Sequence, residues 1–140
     1  MRMVINWTKD SFFSMSTGMK INEFAKIVHD TAKEKGWYDK ERSPLEAHML
    51  MVTELSEATE CVRQDLPPVY AQTDSGITVT DIQDIARQGL KPEGEAVELM
   101  DAMIRIADYF AYKGWDLEQV LQLKMDYNAS RAYRHGGKQY

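Results

Sequence analysis

The chain of 140 residues has the length of one ordinary domain, 1–140, and area scaling gives such a chain a core burying roughly two-thirds of its unfolded surface. A composition of 44% hydrophobic and 28% charged residues is globular, and 17 basic against 22 acidic residues leave a formal charge of −5, which argues against a partner in duplex nucleic acid. A single cysteine, Cys61, forms no internal disulfide and, with three histidines, leaves no familiar Cys/His zinc spacing, so a reducing cytoplasm fits. The apolar run before Lys9 and Asp10 is too short for a signal peptide, and no later stretch approaches the roughly 18 apolar residues of a membrane span.

Residues 1–18 mix Trp7, Phe12 and Phe13 with small polar residues at no sustained period and are expected as a leader arm. From Ile21 the positions Ile21, Phe24, Ala25, Val28 and Ala32 follow helical spacing, with Gly36 as the stop after a lysine-rich last turn. Ser43-Pro44-Leu45-Glu46 places a capping serine before proline at the first helical position and opens a second helix lasting to about Arg63. Residues 64–92, broken by Pro67-Pro68, Asp74-Ser-Gly76 and Gly89, are expected as a long loop insertion containing a β-leaning Ile77-Thr-Val-Thr80. A third helix is expected from about Glu95 to Lys113, ended by Gly114, and a fourth from about Leu117 to Tyr133, followed by a flexible tail. The expected fold is an all-α bundle of four helices.

The second predicted helix carries Glu54 and Glu57, which lie about 60° apart on its surface, while Glu60 falls toward solvent as a surface charge. Val52, Leu55, Thr59 and Val62 lie beside the pair, which places it at the border of the core. The third helix, apolar on most of its circumference, is expected to be buried. It gathers Glu98, Asp101, Arg105 and Asp108 into one narrow polar stripe. Leu99, Met103, Ile106 and Phe110 form one apolar face, and Val97, Met100 and Ile104 another, as a core and an oligomer seam would require. Carboxylates buried side by side are opposed by desolvation and repulsion, a conflict that a divalent cation resolves. Four of them on two facing helices would make the all-oxygen environment that suits Mg²⁺ or Mn²⁺, and such ions attract phosphates. The plainer alternative leaves the acids solvated or paired with Arg105 and nearby lysines.

On the fourth helix Lys124, Asn128 and Arg131 fall at i, i+4 and i+7, a face able to grip a polyphosphate; cations at a helix C-terminus have the same appearance without that role. Trp37 and Tyr38 follow the Gly36 break, where an exposed aromatic could stack on a base or simply pack, and His29 could hydrogen-bond a ligand or be a satisfied helix histidine.

Together these residues resemble the MazG-like, all-α nucleoside triphosphate pyrophosphohydrolases, whose motif is a Glu-x-x-Glu pair followed by Glu-x-x-Asp. Here the pairs are Glu54-Leu-Ser-Glu57 and Glu98-Leu-Met-Asp101. The resemblance extends to Lys91-Pro-Glu-Gly94, to Ile104-Arg-Ile-Ala-Asp108, and to Lys124-x-x-x-Asn128-x-x-Arg131-x-x-Arg134-His135-Gly136. It spans roughly residues 20–138 and leaves the leader and the 64–92 segment unexplained. It implies Mg²⁺ held by Glu54, Glu57, Glu98 and Asp101, phosphate or sugar contacts from Lys124, Asn128, Arg131 and Arg134, and a base pocket near His29 and Trp37. It also implies water attack between the α and β phosphorus atoms of a nucleoside triphosphate, with Glu54 or Glu57 positioning that water, in a homodimer or homotetramer that clears damaged or surplus nucleotides. A sister activity on dUTP or phosphoribosyl-ATP would use the same acids. A di-iron bundle would need a Glu-x-x-His spacing that the sequence lacks, and a non-catalytic helical adaptor would show no dependence on Mg²⁺.

Overall fold

A computed structural model describes residues 18–131; the leader but for Gly18, and the tail with Arg134 and His135, lie outside the described residues. In chain order the elements are α1 (Ile21–Glu34), α2 (Pro44–Arg63), β1 (Ala71–Gln72), β2 (Thr78–Val79), α3 (Ile82–Gln88), α4 (Glu95–Lys113) and α5 (Leu117–Ser130). The fold is predominantly helical, as expected, and α1, α2, α4 and α5 stand where four helices were predicted. Local chemistry sets their starts. Ser43 Oγ accepts the amide N–H of Glu46 at 3.1 Å with Pro44 at the first helical position. Asp116 Oδ1 likewise accepts from Gln119 N–H at 2.9 Å at the head of α5.

The segment 64–92 departs from the expectation of a loop. β1 and β2 pair antiparallel, Ala71 opposite Val79 and Gln72 opposite Thr78, and α3 follows with Asp81 capping Asp84 N–H at 2.9 Å and Ile85 buried. Elements of two and seven residues are too short for hydrophobic periodicity to register. Their place is fixed from a distance: Tyr70 and Glu93 exchange backbone hydrogen bonds of 2.9 and 2.7 Å, and Ala96 N–H donates to Pro68 C=O at 3.0 Å. The excursion therefore returns the chain to its own base and welds the start of α4 to the end of α2.

α4 is the central rod, packed against α2 and α1, while α5 leans chiefly on the start of α1. Asn22 fastens that last contact, its Oδ1 accepting from Glu118 N–H and its Nδ2 donating to Asp116 Oδ1, both at 3.0 Å. The buried residues of the long helices are Ala25, Ala58, Ala102 and Ala107, with Tyr109 and Glu54. Alanine at the contact lets helix axes approach closely, so small residues, rather than the bulky apolar ones, face inward.

Two expectations are corrected by that arrangement. Val52, Leu55, Thr59 and Val62 do not border the core: all four are exposed, and α2 turns Glu54 and Ala58 inward instead. Nor is α4 buried all round, because Leu99, Met100, Met103 and Ile106 are 44%, 47%, 51% and 40% exposed, while Val97 and Ile104 are half-buried. Met100 is thus exposed on the face where Val97 and Ile104 are half-buried. α5 is described only to Ser130, with Arg131 in extended backbone, and from Glu118 onward every described residue is exposed.

Gly94 is the tightest point of the weld. Its φ of +116° is open only to glycine without strain, and an added Cβ would stand 2.5 Å from the carbonyl oxygen of Pro68 and 2.6 Å from that of Pro67. Gly94→Ala is expected to destabilise the fold by about 2–4 kcal/mol, read as a lower urea midpoint at unchanged slope.

Candidate active site

Glu54 reaches from α2 toward α4, where Glu98 and Asp101 are separated by one helical turn. One carboxylate oxygen from each of the three lies within 4.8 Å of the other two. Glu54 is buried at 7% exposure, and Glu98 and Asp101 are half-buried. Glu57, one turn along α2, keeps an exposed side chain, but its charge is close enough to act on Glu98.

Burial pushes the Glu98 carboxyl above its usual range, and the charges of Glu57, Asp101 and Glu54 push it further. Asp101 is raised by burial and then by Glu54, with Arg105 and Lys91 pulling the other way. The neighbouring Cys61 thiol is raised as well, by burial and by the charges of Glu98, Glu95, Glu57 and Glu93, so the negative field extends beyond the acids. A carboxyl whose folded pKa is raised favours the protonated fold. Its contribution to stability is complete below the unfolded pKa and disappears as pH rises through the raised value. Ionised, Glu98 and Asp101 therefore oppose folding.

One internal cation offsets part of that cost. Arg105, one turn beyond Asp101 on α4, donates its Nε–H to Glu54 Oε1. Asp101 and Arg105 also line, with Glu54, a cavity of about 280 Å³ between α1, α2 and α4. Val28, Ala32 and Ile104 give it apolar walls, and Thr31, Lys35 and Asp108 bring polar groups. Trp37 closes one side, half exposed, with the guanidinium groups of Arg42 and Arg105 at 5.4 and 5.6 Å from its ring centre.

Behind the cavity an unforeseen network holds α1 and its following turn to α4. Asp108 Oδ1 lies 2.7 Å from His29 Nδ1, and Asp108 Oδ2 accepts from Tyr38 Oη–H at 2.7 Å. Tyr38 stacks on Tyr112 with ring centres 4.9 Å apart, and His29 meets Tyr38 edge-on at 4.9 Å. Burial, with the hydrogen bond to Asp108, raises the Tyr38 phenol far above its usual range. His29 does not line the cavity; its ring orients Asp108, which does.

Glu54, Glu98 and Asp101 therefore come together, Glu57 borders them, and Trp37 shares the cavity that Glu54 and Asp101 line. Lys124, Asn128 and Arg131 do not: no residue of α5 lines the cavity, and Lys124 and Arg131 instead sit 5.3 and 5.7 Å from the exposed ring of Tyr127. Arg134 lies outside the described residues. Glu60 is a surface charge, 3.7 Å from Arg63. Tyr38 was singled out beside Trp37, but its bond to Asp108 was not foreseen, and the reading of the residues missed Tyr112 and Lys35. Arg105 and Asp108 stood in the predicted stripe, but no spacing rule names their partners on other helices.

Three carboxylate oxygens on two helices, partly withdrawn from water, with Glu54 and Asp101 opening onto the cavity, form a donor set that fits a hard dication such as Mg²⁺, with water completing its shell. Comparison of the chain with protein-family models, with curated proteins and with solved structures finds no match.

Relief of the charge crowding gives a direct check. Asp101→Asn is expected to raise the thermal midpoint of the metal-free protein by a few degrees at pH 7, and the advantage should vanish on acidification below the usual aspartate range, where the wild-type carboxyl is itself neutral. Melting curves across that pH range decide it.

Proposed function

We propose that this chain is a MazG-like nucleoside triphosphate pyrophosphohydrolase, dependent on Mg²⁺, that cleaves between the α and β phosphorus atoms to release a nucleoside monophosphate and pyrophosphate. The observation carrying the proposal is the convergence of Glu54, Glu98 and Asp101 within 4.8 Å, their crowding made plain by the raised Glu98 and Asp101, at the edge of a cavity walled by Trp37. A cluster of acids alone would be ordinary. Their combination with the spaced Glu-x-x-Glu and Glu-x-x-Asp pairs is what favours hydrolysis of a polyphosphate over a solvated groove.

In this reading Glu54, Glu98 and Asp101 hold the dication, and Glu57 serves as a further ligand or positions the attacking water. Mg²⁺, or Mn²⁺ in its place, supplies positive charge against the phosphate oxygens and acidifies water when bound. The protein's own part is chiefly placement. α2 and α4 fix the carboxylates along one seam, the Asp108–His29–Tyr38 network holds the turn that bears Trp37, and the apolar walls admit a flat ring while restricting water. Lys35 and Arg105 line the same cavity and offer positive charge to a phosphate chain.

The phosphate-gripping role proposed for Lys124, Asn128 and Arg131, and with them for Arg134, is assigned to an assembly, because none of the first three lines the cavity of its own chain. Exposed Leu99, Met103 and Ile106 on α4, Val52 and Leu55 on α2, and Leu123 and Met125 on α5 are the surface that such an assembly would cover. We therefore take a homodimer or homotetramer, in which one copy's α5 approaches its partner's cavity, as the working form. No helix among the described residues is long and apolar enough to cross a membrane. A cytoplasmic setting with nucleotides as substrates, in the removal of damaged or surplus ones, completes the reading; dUTP or phosphoribosyl-ATP as substrate would use the same acids.

Purified protein incubated with Mg²⁺ and a panel of normal and modified nucleoside triphosphates should yield monophosphate and pyrophosphate in equal amounts. Orthophosphate as the first product would contradict the assigned bond. Asp101→Asn and Glu57→Gln should each lower turnover at least ~100-fold with helical circular dichroism retained, as expected for groups engaged with the reacting phosphates. Lys124→Ala and Arg131→Ala should raise KM for the triphosphate while leaving Mn²⁺ affinity unchanged. Sedimentation should give a dimer or tetramer, reduced to monomer by Met103→Glu.

A further inference from the structure

Among the described residues Glu57, Glu98 and Asp101 form no ion pair with a basic side chain, whereas Glu54, the most buried of the four, has an internal one with Arg105. The Arg105 side chain is 28% exposed, and its guanidinium faces two neighbours at once. One is the carboxylate of Glu54, and the other is the Trp37 ring across the cavity, 5.6 Å from the guanidinium carbon. Arg105 thus stands where the acid cluster opens into the space available to a ligand.

We propose that Arg105 is a positioning residue of the site: it serves as the resident counter-cation of Glu54 while no metal is bound and gives Glu54 up when a dication enters. The inference rests on the metal-dependent reading above and concerns how that site is loaded. Two cations cannot share a buried carboxylate without repelling each other, and their repulsion is strongest where water is scarce. The two interactions are therefore linked, and each weakens the other by the same factor. Once released from Glu54, the guanidinium keeps its second resting place on the Trp37 face, inside the cavity, where its fork of N–H donors is available to an anionic group of the ligand. Metal loading would in this way convert the cavity from one whose arginine is occupied to one whose arginine is free.

A purely structural Arg105, one that merely aims Glu54 at the metal, makes the opposite prediction, since its removal would weaken metal binding. The full chain is titrated with Mn²⁺ alone, free Mn²⁺ being counted by electron paramagnetic resonance. Arg105→Gln is expected to bind Mn²⁺ about fivefold or more tightly than the wild type, and Arg105→Lys, which restores a positive charge, to return toward the wild-type value. Because Arg105→Gln leaves Glu54 without its partner and can impair folding, the wild-type protein supplies a second measurement. The Nε–H resonance of Arg105, assigned by its absence in Arg105→Lys, should shift on adding Mg²⁺ and saturate at the concentration that saturates binding.

An Nε–H signal unmoved at saturating Mg²⁺, or weaker Mn²⁺ binding by a folded Arg105→Gln, overturns the exchange while leaving the metal site intact. Wild-type protein that takes up no Mn²⁺ overturns the metal site itself and the exchange with it.

Discussion

Repulsion among carboxylates that two helices force together is the constraint around which this fold is arranged. Glu54 on α2 is buried against α4, where Glu98 and Asp101 lie one turn apart, and burial together with mutual charge raises the latter two. Nothing about helix packing requires acids at that seam; alanine would fill it, as Ala58 and Ala102 do nearby. Perturbed carboxyls gathered at one seam are the kind of group from which binding sites are built, and that is the ground of the proposed function. The single guanidinium of Arg105 balances one of the charges and leaves the remainder for the dication of the proposed function.

The rest of the structure can be read as support for that seam. The exchange of backbone hydrogen bonds between Tyr70 and Glu93, and the close approach of Gly94 to Pro67 and Pro68, fix where α4 begins and so where Glu98 stands relative to α2. At the other side, Asp108 accepts from Tyr38 and meets His29, tying the turn that carries Trp37 to the rod that carries Asp101. The cavity between these two fastenings is consequently shaped by elements from both halves of the chain, and a shift of α4 would be felt at all of its walls. α5 is the exception, joined mainly through Asn22 and exposed along nearly its whole length. Its separation from the cavity, with the bare apolar faces of α2 and α4, is the physical ground for proposing that copies associate.

Much of this was legible in the order of residues. Ser43-Pro44 announced the start of α2, Gly36 and Gly114 followed the ends of α1 and α4, and a three-residue spacing put Glu98 and Asp101 on one side of their helix. Each of these is a property of a single turn, decided by caps, backbone freedom and the 3.6-residue period. Within 64–92 the β-leaning Ile77-Thr-Val-Thr80 does hold β2, but its partner β1 and the helix α3 were not legible, because elements so short depend on partners elsewhere. The mistaken inward placement of Val52, Leu55 and Val62 has a related cause: angular spacing orders residues around one helix but does not say which side another helix will take.

By itself, then, the sequence determined the helical class, the positions of the long helices and the presence of paired acids on two of them. Only the tertiary structure decided that small residues close the seam, that Glu54 is turned into it with Arg105 as partner, that Asp108 is shared by His29 and Tyr38, and that α5 stands apart. The division follows the range of the forces. Helix formation is settled among residues a few places apart, whereas the choice of inward face and of ionic partner is settled between segments some fifty to eighty residues distant, through close packing and scarce water.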